Sequence, residues 1–496
     1  MYEERIKRAA LRDKVMSAEE SATFFKDGMV VGASGFTRGG DTKVVLKALA
    51  KRALTDPLKI QLITGASLGL GTDADLVNAN AMSRRSPFQV DTVLRSHINT
   101  GDVMFMDQHL GETNELILNE DLPRIDIAVI EVAQILEDGS VVPTTSIGNN
   151  VAFLDTAEKI ILEINTAIPL EIRGLHDIFR SGKAPHKQII PITSSSDRIG
   201  VDTISIDPEK VIGIVFHDIT DMTGDIVPAD ETTGAMANNI LEFLTHEVKK
   251  GRLSESLLSL QCGIGKVANA VMSGFLNSNF NHLNMYSEVL QDSTFDLIDA
   301  GMMDFASGTS MTVSKGCYDK FMNNLDKYRD SVVFRPLNIS NSAEVIRRLG
   351  IISVNTALEV DIYGNVNSTH VGGTKMMNGI GGSGDFARNA YISMFVTSST
   401  AKADNISSIV PMVAHHDHTE HDVDVLVTEK GLADLRGLAP RERVSVIVNN
   451  IVHEDYRDEL MDYFNRAKAK GGQTPHILEE AFKMHTRFNE TGSMKA

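Results

Sequence analysis

The chain has 496 residues, a formal charge of −18 at pH 7, 42% hydrophobic residues and two cysteines. Such acidity disfavours non-specific attraction to nucleic acid or anionic lipid, because phosphates reward a basic surface. No apolar run approaches the roughly 18 to 20 residues that a membrane helix needs. Cys262 and Cys317 are too few for a disulfide framework or a thiolate zinc site, and they read as small buried residues of a reduced compartment.

The opening segment, MYEERIKRAALRDKVMSAEESA, mixes acids and bases and lacks the apolar stretch of a secretory signal, so a soluble, cytoplasmic protein is expected. Strands are predicted over Met29 to Ala33, Ile60 to Thr64, Asp126 to Val132, Lys159 to Ile164, Val211 to Phe216 and Val423 to Thr428. Several are nearly continuous in apolar residues, the pattern of strands buried on both faces. Lys43 to Leu54 reads as a helix. So does Asn239 to Lys250, where Ile240, Leu241, Leu244 and Val248 form one stripe and Gly251 supplies the stop. Strands alternating with amphipathic helices predict an α/β fold with largely parallel sheets.

A chain this long exceeds one hydrophobic core. The polar stretch His217 to Asp230, with Gly224 and Pro228, is the best boundary, dividing residues 1–225 from 226–496. An internal echo supports two similar domains. Ile130-Glu131-Val132 through Gly139-Ser140-Val141 resembles Leu358-Glu359-Val360 through Gly364-Asn365-Val366, and Val31 to Gly35 has a weaker echo in Gln261 to Gly265.

Three segments carry candidate chemistry. Gly379, Gly381 and Gly384 satisfy GxGxxG, with Asp385 to Phe395 as a possible following helix. A dinucleotide site is one reading and a structural turn another, but no buried strand precedes the loop. The third reading is a backbone nest whose amides meet a phosphate or a developing oxyanion. Around Glu288, the alternation of Asn284, Tyr286 and Glu288 with Leu283, Met285 and Ser287 predicts a strand. Asp292 or Ser293 could then cap a helix carrying Phe295 and Ile298. A glutamate at that strand's carboxyl end lies where α/β active sites gather, and the nearby helix N-terminus would favour an ionised nucleophile. The third segment, Ala414 to Asp422, packs four histidines and three acids into nine residues. A metallohydrolase centre is the rival reading, but the spacing fits no standard ligand set, and a hydrogen-bonded or solvated loop preceding the Val423 strand is the favoured account.

Taken together, YSEVLQD (286–292), GIGGSGDF (379–386), LEVDIYGNVNST (358–369), VTEKGLADLRGL (427–438), SNSAEVIRRLG (340–350), SGFT (34–37) and LITGAS (62–67) resemble the acetyl-CoA hydrolase/transferase family of class I coenzyme A transferases. The resemblance spans essentially the whole chain, with the motifs in order. It implies two similar open α/β domains of CoA-transferase (NagB/RpiA-like) architecture with the active site at the domain interface, the 226–496 domain carrying the nucleophile and most CoA contacts.

By that resemblance, Glu288 is the nucleophile that becomes an acyl anhydride and then a CoA thioester. Gly382 supplies an oxyanion amide, Asn341 lines the site, and Ser67 and Glu429 are further active-site polar residues. Gly263, Ile264, Gly265, Lys266, Val267, Leu358, Asn378, Gly382 and Lys402 match CoA-contacting positions, with Lys402 toward a CoA phosphate. Implied partners are an acyl-CoA and a small carboxylate. No metal is implied, CoA enters as substrate with no further cofactor, and a homodimer is expected without nucleic-acid or membrane association. Lys266 stands where relatives often have a neutral side chain, either as a surface accident or to adjust phosphate binding. No basic residue near His217 is matched to the one some relatives use toward a dicarboxylate, so acetate is favoured over succinate. A hydrolase would use the same residues, and a non-catalytic acyl-CoA sensor would lack only turnover.

Overall fold

The computed structural model describes residues 2–224 and 230–496; the expected boundary at 225/226 lies outside the described residues. The chain forms two compact units. One comprises Met1–Ile226, Met285–Phe295 and Asp304–Leu349, the other Val227–Asn284, Asp296–Met303 and Gly350–Ala496. The units are therefore not the contiguous halves of the chain, and the segment bearing Glu288 is compact with the first. Backbone bonds explain this grouping: Thr309 donates to Glu288 O at 2.8 Å, and Ile147 donates to Thr309 O at 2.9 Å.

In the first unit, seven strands lie in the order Met104–Phe105, Met82–Ser86, Ile60–Thr64, Val30–Ala33, Ile127–Val132, Lys159–Asn165 and Val211–His217. Every neighbouring pair is parallel. All six residues of Ile127–Val132 are buried, as a run apolar at every position but Glu131 predicts. The order reverses between Val30–Ala33 and Ile127–Val132, the arrangement that opens a crevice at strand carboxyl ends. Helix Val45–Ala53 buries Val45, Leu46, Leu49, Ala50 and Ala53 against this sheet's core. It starts two residues later than predicted because Lys43 is drawn into a buried ionic cluster.

In the second unit, Leu260–Cys262, Ile352–Thr356, Ile392–Val396 and Val425–Thr428 run parallel in that order, and Gly431–Asp434 closes the edge antiparallel. The helix predicted from Asn239 begins at Glu231. Asp230 and Thr233 form a reciprocal cap at 2.9 and 3.0 Å, which carries the helix through the Thr-Thr-Gly stretch. Asp385 to Phe395 is not one helix: a short helix, Ser383–Ala387, precedes strand Ile392–Val396. The loop before it follows a two-residue hairpin strand, Lys375–Met376, so the dinucleotide reading lacks the buried strand it needs.

The internal echo has a structural counterpart in a different register. Gln134–Ile135 pairs antiparallel with Val141–Val142, as Glu359–Asp361 does with Val366–Asn367. Gly139 and Gly364 turn the two hairpins at φ +92° and +96°. In both, the residue three before the glycine accepts its N–H, at 3.0 Å. Gln134, rather than Glu131, therefore corresponds to Glu359.

Candidate active site

Glu288 sits in a bend between two strand segments, Leu283–Tyr286 and Val289–Leu290. Leu283, Met285 and Tyr286 are buried, which anchors the first segment. The second pairs parallel with Ser310–Met311. Gly308 packs closely under the bend: a Cβ there would lie 3.2 Å from both Glu288 O and the Leu290 side chain. The helix beyond runs from Asp292 to Asp299, with Asp292 inside it and accepting from Ser314 N at 2.9 Å.

The half-buried Glu288 carboxylate accepts a 2.8 Å bond from the Asn341 amide nitrogen. Asn341 is buried at the end of helix Leu337–Ser340, and its amide oxygen accepts from Ser340 Oγ at 3.2 Å. Two sequence-predicted residues 53 positions apart are thus brought into direct contact. A carboxamide fixed at its oxygen holds one carboxylate oxygen and aims the other, the orientation a nucleophile needs.

Ser67 is buried just after strand Ile60–Thr64, and its carbonyl accepts from Arg38 N at 3.1 Å. This joins the LITGAS and SGFT loops. A Cβ on Gly65 would stand 2.8 Å from Gly35 O, so their close approach requires glycine.

The other predicted residues lie in the second unit. Gly263, Ile264 and Gly265 lead from Leu260–Cys262 into helix Lys266–Gly274, with Gly265 at φ +125° and Ile264 exposed. Val267 lies in the helix's first turn. The Lys266 ammonium pairs with Asp230 at 2.5 Å, both side chains being partly exposed. That bond, together with the Thr233 amide, holds the Asp230 carboxyl well below the usual range. Leu358 is half-buried beside the 359–367 hairpin, and its N–H donates to Asn367 O at 2.9 Å.

In the glycine loop, Asn378 is half-buried and Gly382 is buried as the N-cap of Ser383–Ala387. Gly382 itself has φ −87°, whereas Gly381 takes the left-handed conformation at φ +62°. Glu429 spends both oxygens on Ser399, accepting from its N–H at 2.9 Å and from its hydroxyl. It thereby anchors the base of the hairpin Thr400–Ala401/Ile406–Ser407, whose tip carries the exposed Lys402. Lys402, Ala403 and Asp404 are all left-handed, at φ +50°, +50° and +62°, each about 1 to 2 kcal/mol less favourable than ordinary backbone.

The histidine-rich segment disperses. His415 stacks on His370 with centroids 3.8 Å apart and meets Asp417 at 3.3 Å. The buried His418 contacts Ser383 Oγ at 3.0 Å, bracing the glycine loop. Asp417 accepts from Ser368 N and Thr369 Oγ1. Among the described residues no three His, Cys, Asp or Glu side chains converge as a metal site. These contacts are those of a hydrogen-bonded loop.

Sequence reasoning missed a fully buried ionic cluster in the first unit. The Lys43 ammonium contacts Glu131 at 2.6 Å, Asp221 at 2.9 Å and Asp41 at 3.3 Å. Glu163 accepts from the Lys43 and Val45 amides at 2.6 and 2.8 Å, capping helix Val45–Ala53. His217 lies 3.4 Å from both Glu131 and Glu163. Burial works against the Lys43 charge, but Asp221, Glu131 and Asp41 together raise the ammonium well above its ordinary range. Burial also pushes the Glu131 carboxyl up. Lys43 opposes that and Asp221 adds to it, leaving Glu131 at about 7. Burial raises Asp41 as well, whereas for Glu163 the burial effect is outweighed by its bonds from His217 and the backbone, so that it is lowered.

This cluster is linked to the Glu288 strand. Asp221 accepts from Gly40 N at 3.1 Å and from Thr145 Oγ1, and Glu131 accepts from Thr144 Oγ1 at 2.8 Å. The two loops so gripped hold residues 309–310 through Gly148 N to Thr309 Oγ1 at 3.0 Å and Ser310 Oγ to Phe36 O at 2.9 Å. The available signal was a glutamate interrupting each of two otherwise apolar strands, IAVIEV and KIILEIN. Cys262, beside the Gly263 loop, is buried, and burial pushes its thiol up to about 12, leaving it inert as a nucleophile.

Residues 1–216 match the acetyl-CoA hydrolase/transferase N-terminal domain, and residues 318–464 match the acetyl-CoA hydrolase/transferase C-terminal domain. The chain belongs to the acetyl-CoA hydrolase/transferase family. It is an enzyme of that family, 48% identical over 496 residues to the succinyl-CoA:acetate CoA-transferase of Clostridium kluyveri, across 99% of this chain and 92% of that one. The acetyl-CoA hydrolase of Candida glabrata is 43% identical over 515 residues, covering 100% of this chain and 98% of its own. Among solved structures, RipA from Yersinia pestis aligns with a TM-score of 0.73 at 20% identity, over 93% of this chain and 98% of that one. The 4-hydroxybutyrate CoA-transferase of Porphyromonas gingivalis aligns at 0.66 and 22%, over 94% and 100%. The family's fold therefore extends over nearly the whole chain. Glu288 and residues 263–267 fall between the two matched domain spans.

Proposed function

We propose that this family member moves CoA between an acyl-CoA, succinyl-CoA or acetyl-CoA, and a small carboxylate, with acetate as the favoured partner. The observation that carries the reading is the Glu288 carboxylate oriented by Asn341 at the carboxyl end of a buried strand.

In this reading the Glu288 carboxylate attacks the thioester carbonyl, and the tetrahedral oxyanion takes a hydrogen bond from the Gly382 amide. Collapse expels CoA thiolate and leaves an acyl-glutamyl anhydride. The thiolate then attacks the glutamyl carbonyl, releasing the first carboxylate and forming a glutamyl-CoA thioester. The incoming carboxylate reverses both steps and regenerates Glu288. No net proton is consumed, and one difficult exchange becomes two easier ones. Binding the nucleotide and pantetheine through residues 263–267, Leu358, Asn378 and Lys402 supplies energy for desolvating and orienting a poor nucleophile.

Water attacking the same intermediates would give hydrolysis, the activity named for the Candida glabrata relative. The alternative is thus acetyl-CoA hydrolysis by the same glutamate, and water exclusion decides between them. The reading takes the enzyme to be a cytoplasmic homodimer that needs no cofactor beyond CoA. A panel of acetyl-, succinyl- and 4-hydroxybutyryl-CoA against acetate, succinate, propionate and butyrate, with a water-only control, tests it. Fast exchange with slow water-only turnover is expected, whereas equal thioester loss with and without acceptor would establish the hydrolase.

A further inference from the structure

The tip of the 400–407 hairpin is held by the end of the chain. Within the tip, the Asn405 amide donates to Lys402 O at 3.0 Å and to Ala403 O at 3.3 Å, and Thr400 Oγ1 donates to Asp404 Oδ1 at 2.6 Å. From outside, Tyr456 Oη donates to Asp404 O at 2.6 Å, and Met494 N donates to Asn405 O at 2.7 Å. Three consecutive left-handed residues persist only where the surroundings over-determine them, and these bonds do so.

The C-terminal helix Lys483–Thr491 places the Phe488 ring 5.0 Å from the Lys402 ammonium. That helix is firmly based. His485 Nε2 meets Glu359 Oε2 at 2.6 Å with both residues buried, and Arg487 bonds Glu459 at 2.7 Å and also the Met494 carbonyl. Met484 and Met494 enter the same hydrophobic core as Tyr456.

The two lysines among the predicted CoA contacts are thus treated differently. Lys266 is paired with Asp230, whereas Lys402 faces an aromatic ring and forms no ion pair among the described residues. A ring face attracts an ammonium without cancelling its charge, so the cation stays available to an anion.

We propose that the C-terminal helix and tail, through Phe488, are the positioning element that presents Lys402 to a phosphate of the acyl-CoA. This rests on the reading in which Lys402 meets a CoA phosphate. Phe488 confines a long, flexible side chain before the ligand arrives, and the Met494 clamp fixes the backbone from which it projects. Phe488 is a positioning residue, since it acts on the phosphate only through Lys402.

The test compares kcat/KM for acetyl-CoA with that for acetyl-3′-dephospho-CoA and for acetyl-pantetheine. The proteins are the full-length enzyme, Lys402→Gln, Phe488→Leu and Phe488→Tyr. Phe488→Leu is expected to lower the preference for acetyl-CoA about 2- to 5-fold, the strength of one exposed cation–ring contact, through KM rather than kcat. Phe488→Tyr, which keeps the ring, should restore it, and Lys402→Gln should lower it further. Loss against the dephospho substrate assigns the 3′-phosphate, and loss only against acetyl-pantetheine assigns the pyrophosphate. If Lys402→Gln lowers the preference and Phe488→Leu does not, the proposal is overturned while the Lys402 reading stands. If Lys402→Gln changes nothing, that reading falls and the proposal with it. Should Phe488→Leu fail to fold, Phe488→Met gives the same comparison.

Discussion

At the scale of single residues, the 2.8 Å bond from Asn341 to Glu288 makes a kinetic prediction. Asn341→Ala should lower kcat roughly 10- to 100-fold with little change in KM for acyl-CoA, because the carboxylate loses its aim and not its ligand. Steady-state kinetics with acetyl-CoA and a saturating carboxylate checks this, and a change confined to KM would contradict it. The Glu131 carboxyl, held at about 7 against an ordinary 4.5, makes a second. Between those values the unfolded chain has released this proton while the folded chain keeps it. Its contribution to stability is therefore fully present below pH 4.5 and is lost as pH rises through about 7. Urea unfolding at pH 5 and pH 7.5 should show Glu131→Gln losing less stability over that interval than the parent enzyme. Identical slopes would remove Glu131 from the account.

At the scale of elements, buried ionic side chains decide where segments lock. Arg335 is fully buried; its guanidinium pairs with Asp177 and donates from Nε to Ser307 Oγ at 2.8 Å, beside the strand that supports Glu288. Arg335→Met leaves Asp177 buried without its counter-ion and should cost about 3 to 5 kcal/mol in denaturant unfolding. A loss below 1 kcal/mol would mean that the amides of Ile199 and Gly200, which also bond Asp177, suffice alone. The same side chains explain what could be read beforehand. Strands such as Ile60–Thr64 and Ile127–Val132 were legible because short runs rich in apolar, β-branched residues, broken only at Gln61 and Glu131, report a buried strand. Met82–Ser86 was not, since its Arg85 looks solvated until Asp73 is seen 2.9 Å away. The Lys43 cluster stayed hidden because its partners are spread from residue 41 to residue 221. Glu288 was legible from its place at a predicted strand's end as well as from motif resemblance, Asn341 from the resemblance alone, and their contact across 53 positions is something that only the fold displays.

At the scale of the whole molecule, family membership is established over nearly the full chain, while the balance between transfer and hydrolysis belongs to the site. The proposed homodimer predicts a light-scattering mass near twice 54.1 kDa, and a mass near 54.1 kDa would contradict it. The central claim is that Glu288 is covalently charged with acyl and then with CoA. It is tested most directly by incubating the enzyme with acetyl-CoA, reducing with borohydride and mapping the peptides by mass spectrometry. The account predicts reduction of the Glu288 side chain to the alcohol in the parent enzyme, no modified peptide in Glu288→Ala, and abolished transfer with retained CoA binding in that variant. An unmodified Glu288 peptide during turnover, or transfer surviving in Glu288→Ala, would contradict it.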